Sequence, residues 1–408
     1  MRILLCNKFY RPVGGPEWMV YDMTRRFEEA GHTVIIFSME HPDNWQSSYS
    51  KYFMPNVEYS EGTSYGLKRK IEEAFRIIYS VEARKRIDLL IKDTKPDIAH
   101  LHNIYHQLSP SIIHGLKRQD IPIVMSLHDY KLICPAIRMF VRDKVCDKCI
   151  GARFYNAIRY KCVKDSLVYS LICCLEAYIH RILKVYNCVD LFISPSDFLR
   201  EKMIKSGVPA DKIITQHVAV ELSQFKPSRN GGHVLYMGRL TKEKGVLTLA
   251  KAAAKLPNVR FCFAGEGEAR AEIESMIEQE NINNIVLAGF KAGKDLINLI
   301  EDSLAVVVPS EWYENCPRTV LEGFACGKPV IGSRIGGIPE LICEGVDGYL
   351  FEPGNDAELA DKILKLLSDE KRRVEMGLAG RRKMEEHFSP DAFYSGTLDI
   401  YRRVAGIQ

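Results

Sequence analysis

Short apolar segments bounded by turn residues alternate along the chain with longer segments whose apolar residues recur at helical spacing. This alternation is typical of parallel sheets covered by helices. Six strand patterns lie in the first half, and the pattern starts again after Gly231-Gly232. The predicted strands are Arg2–Cys6, Thr33–Ser38, Asp97–His102, Ile123–Leu127, Cys188–Ser194, Lys212–His217, His233–Met237, Val259–Ala264, Ile285–Ala288, Leu304–Val308 and Pro329–Gly332. The predicted fold class is α/β, with two parallel-sheet domains.

The 408 residues suit two domains of roughly 200 residues each. A polar segment with proline and paired glycines, Leu222–Gly232, is the best linker candidate. We therefore expect a first domain at 1–222, a linker at 223–232, a second domain at 233–388 and a terminal helix at 389–408. Ser389-Pro390 is a typical helix start. The sequence leaves open whether this helix packs on the second domain or crosses back to the first.

Composition excludes several classes of protein. Hydrophobic residues are 46% and charged residues 26% of the chain, as in well-packed soluble proteins. A net charge of +4 is too small to indicate a nucleic-acid partner. The longest apolar stretch, Leu167–Ile179, is shorter than the roughly 20 residues of a membrane span and contains Glu176. The N-terminus lacks a signal-peptide pattern, so we expect a cytoplasmic protein whose 12 cysteines are reduced thiols or metal ligands.

The stretch 306–337 carries the clearest chemical pattern. A buried strand ends at Pro309-Ser310, and a loop leads into a helix that Asn315 is expected to cap, with Pro317 in its first turn. Free backbone N–H groups at this helix start would form an anion site, and they belong to Cys316, Arg318 and Thr319. Glu314 before the helix and Glu322 in its second turn can both face a ligand at the carboxyl end of the sheet.

The run E-N-C-P-R-T-V-L-E resembles the E-x7-E motif of the retaining, two-domain glycosyltransferases called group 1 or family 4. The resemblance extends over almost the whole chain. It implies a GT-B fold, in which two Rossmann-like domains face each other across a cleft. It also implies that Glu314 reaches hydroxyls of the donor sugar and that Glu322 reaches the nucleotide ribose.

Gly238-Arg239-Leu240 with Lys244-Gly245 is similar to the family's G-R-L-x-x-x-K-G element. Arg239 and Lys244 would stabilise the leaving diphosphate, together with the helix N-terminus and without a metal. No Asp-x-Asp triplet indicates a metal-bridged diphosphate. Gly265-Glu266-Gly267 resembles a family loop near the nucleotide, and a tight strand-to-helix turn explains it equally well.

The first domain is expected to supply the other wall of the cleft. Gly14-Gly15 follows the first strand, where backbone can approach a phosphate or sugar closely. His128-Asp129-Tyr130 follows the fourth strand and resembles a family element whose His contacts the donor sugar. The alternative is a structural hydrogen bond. His102, Asn103 and His106 are weaker candidates for the acceptor side.

Four cysteines lie close together after the His128 element: Cys134, Cys146, Cys149 and Cys162. A C-x2-C pair with two flanking cysteines fits a four-thiolate structural zinc site. Reduced thiols in an insert over the acceptor side, or a redox role, are the alternatives. No cofactor is expected for catalysis itself.

Basic residues interleave with apolar ones at 154–186 and at Leu67–Ile91. Such surfaces can contact anionic lipid at the inner face of a membrane, although helices that merely cover the sheet would show the same pattern.

These patterns together predict transfer of a sugar from a UDP- or GDP-sugar, with retention, to a saccharide or lipid-linked saccharide in polysaccharide biosynthesis. In a front-face displacement the departing phosphate oxygen takes the acceptor's proton, so no dedicated base is required. The alternatives are a nucleotide-sugar 2-epimerase with the same two-domain layout and a catalytically silent nucleotide-binding module.

Overall fold

The computed structural model describes residues 1–56, 78–229 and 231–407. Two six-stranded sheets, each entirely parallel, organise the chain. The first has the order β2-β1-β3-β4-β7-β8 and the second the order β11-β10-β9-β12-β13-β14. The strands are β1 Arg2–Cys6, β2 Thr33–Phe37, β3 Ile98–Leu101, β4 Ile123–Ser126, β5 Phe140–Val141, β6 Lys144–Val145, β7 Leu191–Ser194, β8 Ile213–Thr215, β9 His233–Met237, β10 Phe261–Ala264, β11 Ile285–Gly289, β12 Ser303–Val308, β13 Val330–Ser333 and β14 Gly348–Phe351.

Helices cover both faces of each sheet. Several begin where a serine, asparagine or aspartate side chain accepts a hydrogen bond from an amide of the first turn, as at Ser196, Asp369 and Ser389. The described α-helices are Gly15–Glu29, Val81–Thr94, Ser111–Arg118, Asn156–Arg159, Leu167–Ile182, Asp197–Lys205, Val246–Ala254, Arg270–Gln279, Gly293–Glu301, Arg318–Ala325, Ile338–Leu341, Asp356–Leu367, Glu370–His387 and Pro390–Ala405.

The predicted α/β class and the two parallel sheets are confirmed, and the predicted strands agree with the observed ones to within a few residues at their ends. Of the basic segment Leu67–Ile91, residues 67–77 lie outside the described part of the chain. Its described portion contains a helix that begins only at Val81, because Ser80 caps it. None of the described helices combines the length and the apolar composition that crossing a bilayer requires.

Each six-stranded sheet with its helices forms one unit, and the chain passes between the two units twice. Val220 and Phe225, around the predicted linker, pack in the apolar cluster of the second sheet. The terminal helix Pro390–Ala405 crosses back, because Ile400 and Tyr401 pack in the cluster beneath the first sheet. The Tyr401 hydroxyl also hydrogen-bonds His100 Nδ1 on β3 at 2.6 Å. The terminal helix therefore completes the first unit.

The carboxyl ends of the two sheets face each other. Asn315 Nδ2, beyond the end of β12, donates to the carbonyl oxygen of His128, beyond the end of β4, at 3.0 Å. The Tyr130 hydroxyl donates to the carbonyl oxygen of Tyr313 at 3.2 Å. These contacts form one edge of a cleft between the units, at the sheet edges where open α/β folds bind ligands.

Candidate active site

A buried ion pair lies on the second-domain side of the cleft. Lys244, in the turn after β9, donates to Glu314 Oε1 at 2.6 Å, and the Ser310 hydroxyl donates to the same oxygen at 2.8 Å. The Glu314 side chain is only 10% exposed. Burial acts to raise the pKa of Glu314, but the Lys244 ammonium and the hydrogen bonds outweigh it and hold that pKa below its usual value. The site therefore holds an ionised carboxylate against a cation.

The second cation of this turn is more exposed. Arg239 has a half-exposed side chain, with Nη2 3.8 Å from Glu243 Oε1. Its backbone is fixed, because the buried Tyr236 hydroxyl donates to the Arg239 carbonyl oxygen at 2.7 Å. Arg239 thus combines a fixed backbone with a half-exposed cationic side chain.

Gly265 and Gly267 support this turn through backbone packing. A Cβ on Gly265 would lie 1.8 Å from the Gly238 carbonyl oxygen, and one on Gly267 would lie 2.3 Å from the Leu240 carbonyl oxygen. Gly265 also has φ +158°, which L side chains rarely adopt. The glycines let the loop after β10 press against the turn after β9 and so position Arg239.

The helix beyond Glu314 begins later than the sequence predicts. It spans Arg318–Ala325 with Pro317 at its N-cap and no side-chain cap. The prediction that Asn315 caps it is wrong, because the helix begins only at Arg318 and the Asn315 side chain contacts the first unit instead. The backbone N–H groups of Arg318 and Thr319 form no hydrogen bond with any described residue. They remain available to an anion, as expected at a helix start.

Glu322 lies one turn further along this helix. Its Oε1 is 3.4 Å from Arg318 Nε, and its side chain is largely buried while that of Arg318 is half exposed. Burial raises the pKa of Glu322 despite the opposing effect of Arg318. Cys316, in the loop before the helix, is a neutral thiol, because burial raises its pKa to about 12.

The first unit faces this helix with Gly14-Gly15, at the start of the helix Gly15–Glu29, where a Cβ on Gly15 would lie 3.6 Å from Arg318 Cδ. His128 is the second feature of this wall. Its Nε2 lies 3.1 Å from Nδ1 of the buried His102. Burial, with Lys8 nearby, lowers the pKa of His128 to about 4, so its ring is neutral at pH 7. Neutral imidazoles can donate or accept hydrogen bonds here without adding positive charge.

Comparison with known proteins identifies this arrangement. Residues 13–224 match the family described as Glycosyltransferase Family 4, and residues 222–383 match Glycosyl transferases group 1. The chain belongs to the group 1, family 4 glycosyltransferases. An uncharacterized glycosyltransferase of Methanocaldococcus jannaschii is 23% identical over 99% of both chains. An amylovoran biosynthesis glycosyltransferase of Erwinia amylovora is 29% identical over 53% of this chain and 57% of its own.

A solved structure shares the fold. HepE of Anabaena, determined in complex with UDP and glucose, superposes with a TM-score of 0.68 at 18% identity, over 98% of this chain and 99% of its own. The GT-B fold implied by the E-x7-E resemblance is confirmed. The match to transferase families does not favour the 2-epimerase alternative.

Two acceptor-side candidates of this glycosyltransferase are held in internal contacts. His106 Nε2 lies 3.0 Å from Lys131 Nζ and 3.4 Å from Glu176 Oε2. The backbone N–H of Asn103 donates to Asn7 Oδ1 at 3.2 Å, which fixes the loop of Asn103 to the end of β1. His106, Cys173 and Glu176 have ligand atoms within 4.8 Å of one another, but Lys131 Nζ, 2.6 Å from Glu176, already supplies the cation there.

The four cysteines of the predicted zinc site lie in an insert around the hairpin β5–β6. Burial, with the neighbouring cysteines, raises the pKa of Cys149 to about 12 and that of Cys162 to about 11. No three of these sulfurs lie within 4.8 Å of one another in the described part of the chain. Zinc here stays a prediction. The insert also reaches the second unit, since the Tyr313 hydroxyl donates to Asp147 Oδ2 at 3.1 Å.

The sequence interpretation missed the supports of Glu314. Besides Ser310, the Gly336-Gly337 turn packs against this loop, where the Gly337 amide donates to the Glu314 carbonyl oxygen at 2.7 Å. A Cβ on Gly337 would lie 1.9 Å from the Asn315 carbonyl oxygen. Paired glycines three residues after β13 were the available signal, but in the sequence alone they indicate only a turn.

Proposed function

We propose that this glycosyltransferase moves a sugar, with retention, from a nucleotide-sugar donor, a UDP- or GDP-sugar, to a saccharide or lipid-linked saccharide acceptor. The product would belong to surface polysaccharide or glycolipid biosynthesis. The observation that carries the proposal is the Lys244–Glu314 pair beside a helix start with unpaired amides, at the cleft edge of the sheet. The UDP and glucose bound to HepE and the amylovoran role of the Erwinia relative support it.

The diphosphate would lie between the two units. Lys244 and Arg239 would meet its charge from one side, the amides of Arg318 and Thr319 from the helix start, and the Gly14-Gly15 backbone from the first unit. Charge on the leaving diphosphate increases as the glycosidic bond breaks, so cations and amides fixed beforehand stabilise the transition state more than the ground state. The residues around this space supply the positive charge that a metal would otherwise supply.

The sugar would be positioned by Glu314 and His128. The carboxylate accepts hydrogen bonds from sugar hydroxyls, and the neutral imidazole can bond near the reacting carbon. The bond between the anomeric carbon and the phosphate oxygen breaks, and the acceptor oxygen forms the new bond on the same face. The acceptor proton passes to the departing phosphate oxygen, so atoms and charge balance without a protein base.

Glu322 would accept hydrogen bonds from the nucleotide ribose. It is largely buried with no described cation other than Arg318 beside it, so ribose hydroxyls would satisfy oxygens that are otherwise poorly solvated. The acceptor would enter along the first-domain wall near His102, Asn103 and His106. We propose a cytoplasmic location at the inner face of the membrane, where lipid-linked acceptors lie.

The test is a thermal-shift panel with UDP, GDP, ADP, CMP and dTDP. A ligand at about 100 times its Kd adds about 2.7 kcal/mol to stability, which gives a readable shift in Tm. We expect one nucleotide to stabilise wild type and to lose most of its effect on Glu322→Ala. Glu375→Ala, an exposed helical glutamate in the same domain, is the matched control and should behave as wild type.

A shift with none of the five nucleotides, or an equal shift in Glu322→Ala, would overturn the donor site. Turnover of the matching nucleotide sugar without any acceptor, to an epimerised product, would instead establish the 2-epimerase. With an acceptor present, the anomeric coupling in the NMR spectrum of the product tests retention.

A further inference from the structure

One helix of the first unit presents an apolar face to solvent. Along Leu167–Ile182, Val168, Leu171, Leu175 and Ile182 recur at spacings of three, four and seven residues, which places them on one side. All four are exposed, Val168 to 63% and Ile182 to 75%. The opposite side is buried and includes Cys173, Cys174 and Glu176. A helix whose outer side faces only water normally carries polar residues on that side, so this exposed aliphatic side indicates a contact surface.

Cations lie at both ends of this helix, and the exposed face carries no carboxylate. Lys161, Lys164 and Asp165 precede it, and Arg181 and Lys184 are at its end. Within the described part of the chain, Arg181 and Lys184 form no ion pair with a carboxylate. Glu176, the acidic residue of the helix, is buried against Lys131 at 2.6 Å and cannot neutralise them. The C-terminal end of the face therefore combines aliphatic surface with two cations, Arg181 and Lys184, that no described carboxylate pairs.

A cavity of about 430 Å³ opens beside the C-terminal end of the helix. Arg181, Lys184 and Lys212 line it together with Phe154 and Phe192, and no carboxylate is among the described residues of its lining. Cations above apolar walls suit an amphiphile that has an anionic head.

We propose that this helix docks on an anionic phospholipid bilayer, with Val168, Leu171, Leu175 and Ile182 in the headgroup–acyl boundary and a lipid phosphate at Arg181 and Lys184. Amphipathic helices bind membranes by burying apolar area and by attracting anionic headgroups, and this helix offers both. The proposal deepens the proposed function, on which it rests for its biological use, because it places the acceptor-side unit at the membrane. Docking itself does not require donor binding.

Vesicle co-flotation of the full chain tests the proposal. We expect binding to phosphatidylcholine vesicles that contain about one third phosphatidylglycerol, and little binding to pure phosphatidylcholine. Leu171→Glu/Leu175→Glu should abolish flotation. Arg181→Glu/Lys184→Glu should weaken it about 25-fold or more, because each basic residue near an anionic surface contributes roughly a factor of five. Leu364→Glu, an exposed leucine on a helix of the second unit, is the matched control and should float as wild type.

Flotation that is equal on both vesicle types, absent in wild type, or unaffected by the two leucine substitutions would overturn the proposal. A dimer in light scattering that Leu171→Glu/Leu175→Glu converts to monomer would overturn it too, since a second copy would then cover the face. The nucleotide-dependent thermal shift, measured on the same samples, shows whether each variant is folded. It also separates failure of docking from failure of the donor site.

Discussion

Replacing Lys244 by alanine isolates the electrostatics of the candidate site. The Lys244 and Glu314 side chains are 20% and 10% exposed and their charged atoms are 2.6 Å apart. Removing one partner of a buried pair leaves the other charge without compensation, at a cost of about 3–5 kcal/mol. The lower end applies here, because Ser310 still donates to Glu314. With about 2–4 °C per kcal/mol for a domain of this size, Lys244→Ala should lower Tm by about 6–12 °C at pH 7.5.

The pH dependence distinguishes this cause from a simple loss of packing. In wild type the pKa of Glu314 lies below its unfolded value, so the ionised carboxylate contributes stability above that value and the contribution is lost as pH falls through the folded pKa. Without Lys244, burial dominates and raises the pKa of Glu314. The charged carboxylate then destabilises the fold at neutral pH, and this cost is relieved as pH falls. The difference in Tm between wild type and Lys244→Ala should therefore shrink from pH 8 towards pH 5.

The assay is differential scanning fluorimetry across that pH range, with two companion variants. Lys244→Ala/Glu314→Gln should recover much of the lost stability, because the amide carries no charge to bury. Lys242→Ala removes an exposed cation of the same turn, whose pair with Glu272 is open to solvent, and should leave Tm nearly unchanged. A Tm loss in Lys244→Ala that is equal at pH 5 and pH 8, or no recovery in the double variant, would refute the reasoning.

Three further outcomes are expected. Gly337→Ala should lower the free energy of unfolding by about 1–3 kcal/mol and reduce turnover, because the new Cβ would lie 1.9 Å from the Asn315 carbonyl oxygen. Gly232→Ala places its Cβ in open space and should leave stability unchanged. Equal denaturation midpoints for the two variants would contradict this prediction. Tyr401→Phe should lower the free energy of unfolding in urea by about 1–3 kcal/mol, because it leaves Nδ1 of the buried His100 without its partner. An unchanged midpoint would count against the contact. Elemental analysis should find one zinc per chain in wild type and none in Cys146→Ser/Cys149→Ser, and metal-free wild type would disprove the zinc prediction.

The sequence was sufficient to locate most of the strands along the chain. It was not sufficient to predict contacts between distant segments. Apolar runs marked eleven of the fourteen described strands, because both faces of a parallel sheet are buried, but the short strands β5 and β6 and the edge strand β14 were missed. The E-x7-E motif likewise located both glutamates. The motifs of Lys244 and Glu314 are far apart in the chain, and nothing in either motif shows that these two side chains form one ion pair.

Asn315 shows why local rules fail at the cleft. Asparagine before a helix is a favoured cap, so the local pattern predicts a cap. The side-chain amide of Asn315 instead donates to the first unit, and Pro317, two residues later, occupies the N-cap position. The terminal helix was undecided for a similar reason. Its apolar stripe fits either unit, and only the position of His100 decides between them.

The crossing of the terminal helix has a consequence for the order in which the protein is made. The last strand of the first sheet ends at Thr215. Ile400 and Tyr401, which complete the apolar cluster beneath that sheet, are synthesised roughly 190 residues later. At a synthesis rate of about 5–20 residues per second, that face of the sheet stays uncovered for on the order of 10–40 s. A nascent chain must therefore keep this apolar surface from aggregating until the helix Pro390–Ala405 has been made, and a premature stop codon near residue 388 would leave the surface permanently uncovered.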